Sequence, residues 1–462
     1  MGKELKLKPR LVAELSEAGQ LYEVGGTVRD RLLPDLPEPK DLDFLVTGIP
    51  FRRLCDLLRH YGRVDLVGRF FGVIKFTQPA NGTGPGGTFD FVLPRKEVST
   101  GAGHRDFEVS FDHTLAVEDD LQRRDFTINA IARDVVSGEF VDPLHGRADI
   151  EKKLIRFTSP QSFVEDPLRM LRAVQFAARL EFDIEAETYQ AIVDNARMIT
   201  TVSPERVAEE LNKLLTRAKQ PSIGFKLMQQ TGLLKHLLPE LEDTVGVTQP
   251  GPYHAHPVFE HSIYAVDAAP PRLLVRMATL LHDITKPQAK RVTGEESATF
   301  YGHEVSGSRQ AGKVLRRLRY SNDFIDEVSR LVEKHMFTSD LTDKALRRLI
   351  RRVTPELIFD LLDLRRADVV GQGMGGNTDD VDELEQRIRE ELERKPPFGL
   401  NDLAVNGDDL MKVFGLPEGR QIGEVLNQLL EMVLDYPEKN EYELLIEAAR
   451  DYLGREDLEK GT

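Results

Sequence analysis

The protein has 462 residues, a formal net charge of −15 and one cysteine. This length predicts roughly three domains and more than one site. The single cysteine excludes an intramolecular disulfide and a cysteine-based zinc finger, and it fits a reducing compartment, so we expect a cytoplasmic location. No apolar run approaches about 20 residues, the length of a membrane span, and the first residues lack the apolar core of a signal peptide, so we expect no membrane partner.

The negative net charge argues against a uniformly basic surface for nucleic acid, because phosphates must be neutralised by Lys and Arg where the backbone lies. A nucleic acid would have to be held by local basic patches. Three segments are candidates: residues 313–319, 347–352 and 365–366. Each of them, taken alone, is more often the solvated face of a helix.

The first third of the chain alternates short β-branched and aromatic runs with turn residues, which predicts a small sheet with helices against it. The strand-like runs are residues 21–24, 43–46, 72–76 and 89–92. The composition of residues 80–87 predicts a loop. From about residue 160 the pattern is helical. Ser203-Pro204 is a favourable helix start, and residues 371–380 read as a linker before a charged helix at 381–395.

Two glycines, Gly25 and Gly26, lie where the first strand meets a helix start. Glycine removes the Cβ that would keep a triphosphate from the backbone, and a helix N-terminus supplies amide donors. Arg29 adds a charge-assisted contact. A lone Gly-Gly is usually only a turn, so this hypothesis needs support from residues further along the chain.

Asp41 and Asp43 come next, separated by one residue at the start of a second apolar run. Alternation along a strand places both carboxylates on one face, where Mg²⁺ and substrate phosphates would be their natural partners. Asp90, on a neighbouring strand-like run, could be a third ligand. We therefore predict Asp41, Asp43 and Asp90 as catalytic carboxylates, with Mg²⁺ held by Asp41 and Asp43.

Six motifs in order resemble those of class II tRNA nucleotidyltransferases and the related bacterial poly(A) polymerases, in the polymerase-β-like nucleotidyltransferase superfamily. They begin with the Gly-Gly element and the Asp-x-Asp pair, and they cover about residues 20 to 215. The segments are 25–30, 41–43, 123–130, 142–146, 165–169 and 205–210. One motif could arise by chance, but six in family order leave little room for it.

The resemblance implies a set of nucleotide-binding residues. Triphosphate contacts fall to the glycines and Arg29, and Arg124, Asp125 and Asn129 would contact the nucleotide or brace the ribose. In the Glu-Asp-x-x-Arg motif, Asp166 would accept from the exocyclic amine of C or A and Arg169 would donate to the ring nitrogen. The predicted nucleotide-binding set is Gly25, Gly26, Arg29, Arg124, Asp125, Asn129, Asp166, Arg169 and Arg172.

Residues 95–110 resemble the flexible loop with which family members switch from C to A addition. This loop argues against an enzyme restricted to adding CC. It does not separate full CCA addition from A addition alone. Many members carry an arginine where this chain has Gln175.

A second resemblance, to the HD phosphohydrolase domain appended to some bacterial members, covers about residues 251–375. Imidazoles with carboxylates suit transition metals such as Ni, Mn or Fe. The family activities are phosphatase, 2′-nucleotidase and 2′,3′-cyclic phosphodiesterase. His254 and His256 lie close to the first ligand, and Thr285 replaces a common glycine. The predicted ligands are His261, His282, Asp283, His303, His335 and Asp368.

These resemblances imply an α+β polymerase-β-like nucleotidyltransferase head, a small mixed sheet with helices, followed by all-α neck, body, HD and tail domains. The predicted division is a head at 1–155, a neck and body with the base-selection motif at 156–250, an HD domain at 251–375, and a tRNA-binding tail at 376–462. The expected activity is template-independent addition or repair of the 3′-terminal CCA of tRNA. The expected partners are the tRNA 3′ end and acceptor arm, ATP and CTP.

Three alternatives stay open. An A-adding enzyme or a poly(A) polymerase would share the head, although poly(A) polymerases often have a basic tail and no HD domain. A nucleotide hydrolase or sensor would use the HD chemistry and only bind ligand at the head. A tRNA-binding protein without catalysis should have lost a metal carboxylate.

Overall fold

The structure, a computed structural model, describes residues 7–33, 42–67, 73–80, 86–99, 107–294 and 297–460. The chain divides into two compact units, Met1–Pro239 and Glu240–Thr462. Asp41 and the tip of the predicted loop at 95–110 lie outside the described residues. The finer predicted division into four domains remains a prediction.

The first unit contains a seven-stranded mixed sheet and two smaller strand pairs. The order in the large sheet is β3-β4-β5-β2-β1-β8-β9; β2 and β5 are parallel, and the other neighbours are antiparallel. The hairpin of β6 and β7 and the parallel pair of β10 and β11 are separate. The strands are β1 (Gln20–Val24), β2 (Leu42–Thr47), β3 (Arg63–Val67), β4 (Val73–Gln78), β5 (Gly87–Val92), β6 (Arg95–Ser99), β7 (Phe107–Phe111), β8 (Ala132–Asp134), β9 (Phe140–Val141), β10 (Leu154–Ile155) and β11 (Asp183–Ile184).

Helices accompany this sheet and then dominate the unit. The helices are α1 (Pro9–Ala18), α2 (Gly26–Leu32), α3 (Phe51–Arg59), α4 (Val117–Gln122), α5 (Gly146–Glu151), α6 (Ser162–Glu165), α7 (Leu168–Leu180), α8 (Ala186–Asn195), α9 (Pro204–Arg217), α10 (Pro221–Gln230) and α11 (Leu234–Leu237). The predicted helix at Ser203-Pro204 is confirmed as α9, which buries Val207 and Leu211 on its apolar face.

Alternation along two neighbouring strands separates the core of the sheet from its polar face. Phe44 on β2 and Phe89 and Phe91 on β5 lie in one aromatic core, with the Phe44 and Phe91 rings 5.2 Å apart. Because successive side chains of a strand point to opposite faces, the residues between these phenylalanines face the other way. Asp43 and Asp90 are those residues.

The described part of the second unit is helical apart from one strand pair, β12 (Arg291–Gly294) with β13 (Ser297–Thr299), and α12 (Pro239–Glu242) begins at the boundary of the two units in the chain. The sequence predicted neither this pair nor β10 with β11, because strands of two to four residues carry no periodic signal. The helices are α13 (Val258–Ala268), α14 (Leu273–Leu281), α15 (Lys286–Ala289), α16 (His303–Arg317), α17 (Asn322–Lys334), α18 (Asp343–Val353), α19 (Ile358–Gly371), α20 (Asp379–Glu393), α21 (Gly407–Phe414), α22 (Arg420–Asp435) and α23 (Tyr442–Lys460).

The predicted fold class is confirmed: a head with a small mixed sheet is followed by a mostly helical chain. The charged helix predicted at 381–395 is α20. Of the helices that the structure describes, none is long and apolar enough to span a bilayer.

Candidate functional site

Two carboxylates occupy matching positions on adjacent strands of the head. Asp43 on β2 and Asp90 on β5 are register partners in the parallel pair, so they share one face of the sheet. On the other side of Asp90, its antiparallel partner on β4 is the exposed Lys75. The sequence analysis missed Lys75, because cross-strand register is not visible in one strand's pattern.

The Asp90 carboxylate has the character of a cation ligand. Its Oδ1 atom is buried and accepts no hydrogen bond from the described residues. An acceptor in this state costs free energy unless a cation or donor binds it. Two carboxylates side by side also favour a divalent cation, and oxygen ligands are those that Mg²⁺ prefers. Asp43 and Asp90 therefore fit Mg²⁺, and Asp41, the other predicted ligand, lies outside the described residues.

A cavity of about 420 Å³ opens over this face. It brings together seven of the predicted site residues with two arginines to which the sequence analysis gave no role, Arg123 and Arg206. The concentration of guanidinium groups beside two carboxylates suits a phosphate chain with its metal ion. The polar residues lining the cavity are Asp43, Asp90, Arg95, Arg123, Arg124, Asp125, Asp166, Arg169, Arg172 and Arg206.

The first glycine of the strand-to-helix turn lies against one of these arginines. Gly25 has a φ of 67°, and a Cβ there would lie 2.6 Å from Nη1 of Arg124. The positive φ favours glycine at this position, and the absence of a Cβ also leaves room for the guanidinium. Gly26 begins α2, as expected. The turn thus leaves space for the Arg124 guanidinium beside the cavity.

Arg29, predicted to contact the triphosphate, is 3% exposed and does not line the cavity. Its Nη1 donates to Oδ1 of Asn129 at 2.6 Å, and its Nε donates to Asp30 at 2.8 Å. Asn129 in turn donates to Oδ1 of Asp125 at 2.9 Å. The structure therefore links Arg29 to the cavity through two intervening side chains.

Asp125 is held from two sides. Arg172 donates to its Oδ2 atom from Nε at 2.9 Å and from Nη2 at 2.7 Å, and Nη1 of Arg172 donates to the buried Glu210 at 3.2 Å. Burial favours the neutral acid, but Arg172 and the Asn129 hydrogen bond outweigh it and keep the pKa of Asp125 below its usual value. Asp125 is thus an ionised, fixed wall of the cavity.

Arg123 and Arg124 share a fully buried carboxylate, Asp120 on α4. Nη2 of Arg124 donates to it at 3.1 Å. Burial raises the pKa of Asp120, but the two guanidinium groups lower it by a larger amount. The pKa of Asp120 therefore lies below its usual value. This carboxylate orients two cationic groups toward the cavity.

The two predicted base-reading residues are close to each other in the chain and both lie at the cavity. Asp166 accepts from Nη2 of Arg206 at 2.7 Å and from the backbone N–H of Leu168 at 3.2 Å. Arg169 donates to the carbonyl of Arg123 at 2.9 Å. Arg206 lies on α9, about 40 residues further along the chain. Its position in the motif at residues 205–210 is the sequence signal from which a role at the site could have been predicted.

A cluster of buried imidazoles and carboxylates lies in the second unit. All six predicted ligands are at most 5% exposed and belong to it. Three groups, each with ligand atoms within 4.8 Å of one another, overlap through shared members. These groups are His254 with His261 and Asp368; His261 with His282 and Asp283; and Asp283 with His303 and His335.

Backbone carbonyls fix the tautomers of three of these histidines. Nδ1 of His282 donates to Thr279 O at 2.6 Å, and Nδ1 of His303 and of His335 donate to the carbonyls three residues earlier at 2.7 Å. A carbonyl can only accept, so each of these rings, when it carries a single proton, presents the lone pair of Nε2 to the cluster. Nε2 of His303 and Nε2 of His335 are 3.3 Å apart.

This donor set fits a metal ion. Facing lone pairs repel unless a cation lies between them, and burial lowers the pKa of His335 to about 3, which keeps it neutral. The pKa values of Asp283 and Asp368 lie well below their usual range, because the neighbouring imidazoles outweigh burial. Despite burial, Asp283 and Asp368 raise the pKa of His282 to about 10, so the cluster attracts positive charge. Imidazole with carboxylate suits a transition metal.

Two members of this centre were not among the predicted ligands. His254 joins the first group, and burial with Lys286 nearby lowers its pKa to about 3. Nζ of Lys286 lies 2.7 Å from Oδ2 of Asp283 and donates to Gln249. Its place three residues after Asp283 was the available sequence signal.

Most of the predicted basic patches are engaged in ion pairs within the second unit. Arg347 on α18 pairs with the buried Glu391 at 2.9 Å, and Arg348 pairs with Glu431 at 3.2 Å. Arg365 pairs with Asp368 at 2.8 Å. Because these arginines already pair with carboxylates, a structural role is an alternative to the predicted role in binding RNA.

Three sequence models of known families match parts of the chain. The model described as "Poly A polymerase head domain" matches residues 21–156. The model described as "Probable RNA and SrmB- binding site of polymerase A" matches residues 181–244. The model of tRNA nucleotidyltransferase domain 2 matches residues 295–449, and so runs across the boundary predicted between HD domain and tail.

Several solved structures with a similar fold are CCA-adding enzymes. One is the Bacillus stearothermophilus enzyme in complex with CTP, with 24% identity and a TM-score of 0.72 over 98% of this chain and 100% of that chain. A CCA-adding enzyme in complex with ATP has 21% identity and a TM-score of 0.57 over 97% and 95%. The Thermotoga maritima enzyme with tRNA has 21% identity and a TM-score of 0.53 over 96% of each chain.

The fold thus defines the class of protein: a polymerase head with a mixed sheet, followed by mostly helical domains. More particularly, this is the fold of the CCA-adding enzymes.

Proposed function

We propose that this protein adds nucleotides to the 3′ end of tRNA without a template, and that it builds or repairs the CCA end from CTP and ATP. The observation that carries the proposal is the cavity in which two in-register carboxylates, Asp43 and Asp90, meet the base-reading pair Asp166 and Arg169. The similar solved structures, which include complexes with CTP, ATP and tRNA, support it.

The reaction is an in-line attack of the tRNA 3′ hydroxyl on the α-phosphate of the incoming nucleotide, with pyrophosphate as the leaving group. Asp41, Asp43 and Asp90 would hold Mg²⁺, which when bound assists deprotonation of the hydroxyl and stabilises the leaving group. Arg124, fixed by Asp120, neutralises phosphate charge. No covalent enzyme intermediate is needed.

Base choice follows from hydrogen-bond complementarity. C and A share an exocyclic amine beside an accepting ring nitrogen, for which Asp166 and Arg169 are the matching acceptor and donor. U and G present the reverse pattern and would leave these polar groups unpaired, at about 1–3 kcal/mol per group. Arg206 holds Asp166 in place through its 2.7 Å hydrogen bond.

The experiment is extension of tRNAs that end before CCA, after C and after CC, with labelled CTP and ATP, Mg²⁺ and single-nucleotide resolution. We expect all three to grow to CCA and no further. Extension of only the CC-ended tRNA would identify an A-adding enzyme, and long A tails would identify a poly(A) polymerase. No extension of any tRNA would contradict the proposal.

The second function that we propose is phosphohydrolase activity at the cluster in the second unit, on phosphate ends or nucleotides. It is supported by the three overlapping ligand groups and by the three fixed histidine tautomers. A transition metal bound there would supply a hydroxide for attack on phosphorus. The test is metal analysis of the purified protein together with hydrolysis of 2′,3′-cyclic AMP and 2′-AMP in Mn²⁺ or Ni²⁺; a protein that neither binds metal nor hydrolyses either substrate would refute it.

A further inference from the structure

A row of charged side chains crosses the sheet of the head. Its members are register partners from one strand to the next: Asp43 on β2, Asp90 on β5, Lys75 on β4 and Asp65 on β3. Register partners on neighbouring strands point to the same face of a sheet, so all four lie on the face of the candidate metal carboxylates. Lys75 is the cation of this row.

The ammonium group of Lys75 has no partner among the residues that the structure describes. Carboxylates flank it in the register on both sides, but it pairs with neither, and Asp65 pairs with Arg63 at 2.9 Å. Lys75 is exposed, whereas Ile74 and Phe76 on either side of it are fully buried in the aromatic core. Because these two neighbours fix the alternation of β4, a solvated cation is held on the face of the carboxylates.

Lys75 lies just outside the candidate nucleotide site. Val73, two residues earlier on the same face of β4, lines the cavity, and so does Asp90, the partner of Lys75 on β5. In the other direction the same face continues to Thr77, whose hydroxyl lies 3.3 Å from that of the exposed Thr88. Lys75 thus stands where the polar face of the sheet leaves the cavity.

The groups proposed to bind the incoming nucleotide lie on the opposite side of the two carboxylates. Arg124 approaches the end of β1, since a Cβ on Gly25 would lie 2.6 Å from its Nη1 atom. In the sheet, β1 is the neighbour of β2 on the side away from β5 and β4. Because in-line transfer places the attacking hydroxyl opposite the leaving pyrophosphate, a nucleotide bound on the Arg124 side requires the tRNA 3′ end to arrive on the Lys75 side.

We propose that Lys75 binds the last phosphodiester of the tRNA and so holds the 3′ hydroxyl at the metal carboxylates. This inference rests on the proposed nucleotide addition and deepens it, because it assigns a residue to the tRNA end instead of the nucleotide. The last phosphodiester is the anionic group of the tRNA nearest to the attacking hydroxyl, and lysine is a common partner of such backbone phosphates. Lys75 acts as a positioning residue and takes no part in making or breaking bonds.

The first test compares the two substrates in the extension of a CC-ended tRNA with ATP. Lys75→Ala should raise KM for tRNA by roughly 10- to 100-fold, the worth of one charge-assisted hydrogen bond, and leave KM for ATP unchanged. Lys75→Arg keeps the charge and should restore most of the affinity for tRNA. Lys152→Ala removes another exposed lysine of the head, at the end of α5, and should change neither KM. A rise in KM for ATP alone, or equal effects at positions 75 and 152, would overturn the proposal.

The second test identifies the phosphate that Lys75 contacts. A tRNA whose last phosphodiester is replaced by a neutral methylphosphonate should bind the unsubstituted protein roughly 10- to 100-fold more weakly than the ordinary tRNA does. Lys75→Ala has already lost this contact, so it should bind both tRNAs equally, whereas Lys152→Ala should show the full loss. Losses that multiply in Lys75→Ala would show that the lysine and this phosphate do not interact, and the proposal would be wrong.

Direct binding separates this inference from the function on which it rests. Filter binding of the two tRNAs without nucleotide gives Kd without turnover, and Lys75→Ala should lower the slope of log Kd against log salt concentration by about 0.7, the value for one phosphate of a single strand. If the unsubstituted protein extends no tRNA but binds the neutral tRNA more weakly in a manner that depends on Lys75, the proposed addition is wrong and the contact stands. If it extends tRNA and the losses multiply, the addition stands and the contact is wrong.

Discussion

Asp90 meets Asp43 because two strands that run in the same direction carry the same alternation. Each carboxylate stands between apolar residues that enter the aromatic core, as Phe44 and Phe91 do, so each must point away from that core. The hydrophobic burial of the phenylalanines thereby positions the polar residues. Substitution of either carboxylate is therefore expected to alter the site, whereas the packing of the aromatic core does not depend on these two side chains.

Asp90→Asn tests the candidate catalytic carboxylate with almost no change in shape. Loss of a metal ligand removes several kcal/mol of transition-state stabilisation, so we expect nucleotide addition to fall by roughly 10²-fold or more, with an unchanged thermal midpoint. The measurement is single-turnover extension of a CC-ended tRNA. Asp56→Asn, at an exposed carboxylate on α3, is the control and should retain full activity. Equal activity of the two variants would exclude Asp90 from the reaction.

Asp120 allows a pH prediction with a defined sign. Because its folded pKa lies below its usual value, its ionised form contributes stability that is fully present above an unfolded pKa of about 3.9 and is lost as the pH falls through the folded pKa. Asp120→Asn should cost about 1–3 kcal/mol at pH 7.5. The difference in thermal midpoint between protein and variant should stay constant down to about pH 5 and shrink below about pH 4.

Calorimetry at several pH values measures this difference. Asp56→Asn serves again as the control, since its carboxylate is exposed. A difference that grows on acidification would contradict the assigned direction of the pKa shift.

At the scale of elements, α18 shows how a basic sequence segment becomes structural. Arg347 reaches two other helices: its Nη1 donates to Glu391 on α20 and its Nε donates to the carbonyl of Leu434 on α22. Its neighbour Arg348 forms more exposed pairs with Glu431 and Asp435. The same charge at adjacent positions therefore has different consequences, according to which face of the helix it occupies.

Arg347→Ala should destabilise the second unit by up to about 3–5 kcal/mol, because the buried Glu391 would keep only the more exposed Arg394 as an ionic partner. Arg348→Ala makes the same change in net charge at a more exposed ion pair and should lower the thermal midpoint much less. Thermal unfolding of the two variants measures the contrast. If the segment instead binds tRNA through its charge, both variants should weaken tRNA binding equally and reduce its salt dependence.

At the scale of the whole molecule, the two candidate chemistries lie in different compact units. The carboxylates of the head belong to Met1–Pro239, and the metal cluster belongs to Glu240–Thr462. Sites that share no residues and no partners are expected to respond to substitution independently.

His303→Ala should remove bound transition metal and phosphohydrolase activity while nucleotide addition stays within about twofold, which corresponds to the usual additivity of separate sites. Asp90→Asn should do the reverse. Metal analysis by mass spectrometry and both activity assays on the same preparations provide the measurement. Loss of both activities in either variant would show that the sites are coupled.

The sequence by itself determined the class of fold and the main elements, because strong alternation and good helix starts are local signals. It placed β1, β2, β4 and β5 and the start of α9, and ordered motifs singled out most residues of the cavity and of the metal cluster. The short strands escaped it, since they form only when a partner strand is already present.

Only the tertiary structure decided which of these residues meet. Strand register places Lys75 beside Asp90, and α9, which is distant in the chain, brings Arg206 to Asp166. Arg29 is buried and hydrogen-bonded to Asn129, so it does not line the cavity. Those contacts join residues far apart in the chain. They depend on packing between elements, which no local pattern encodes.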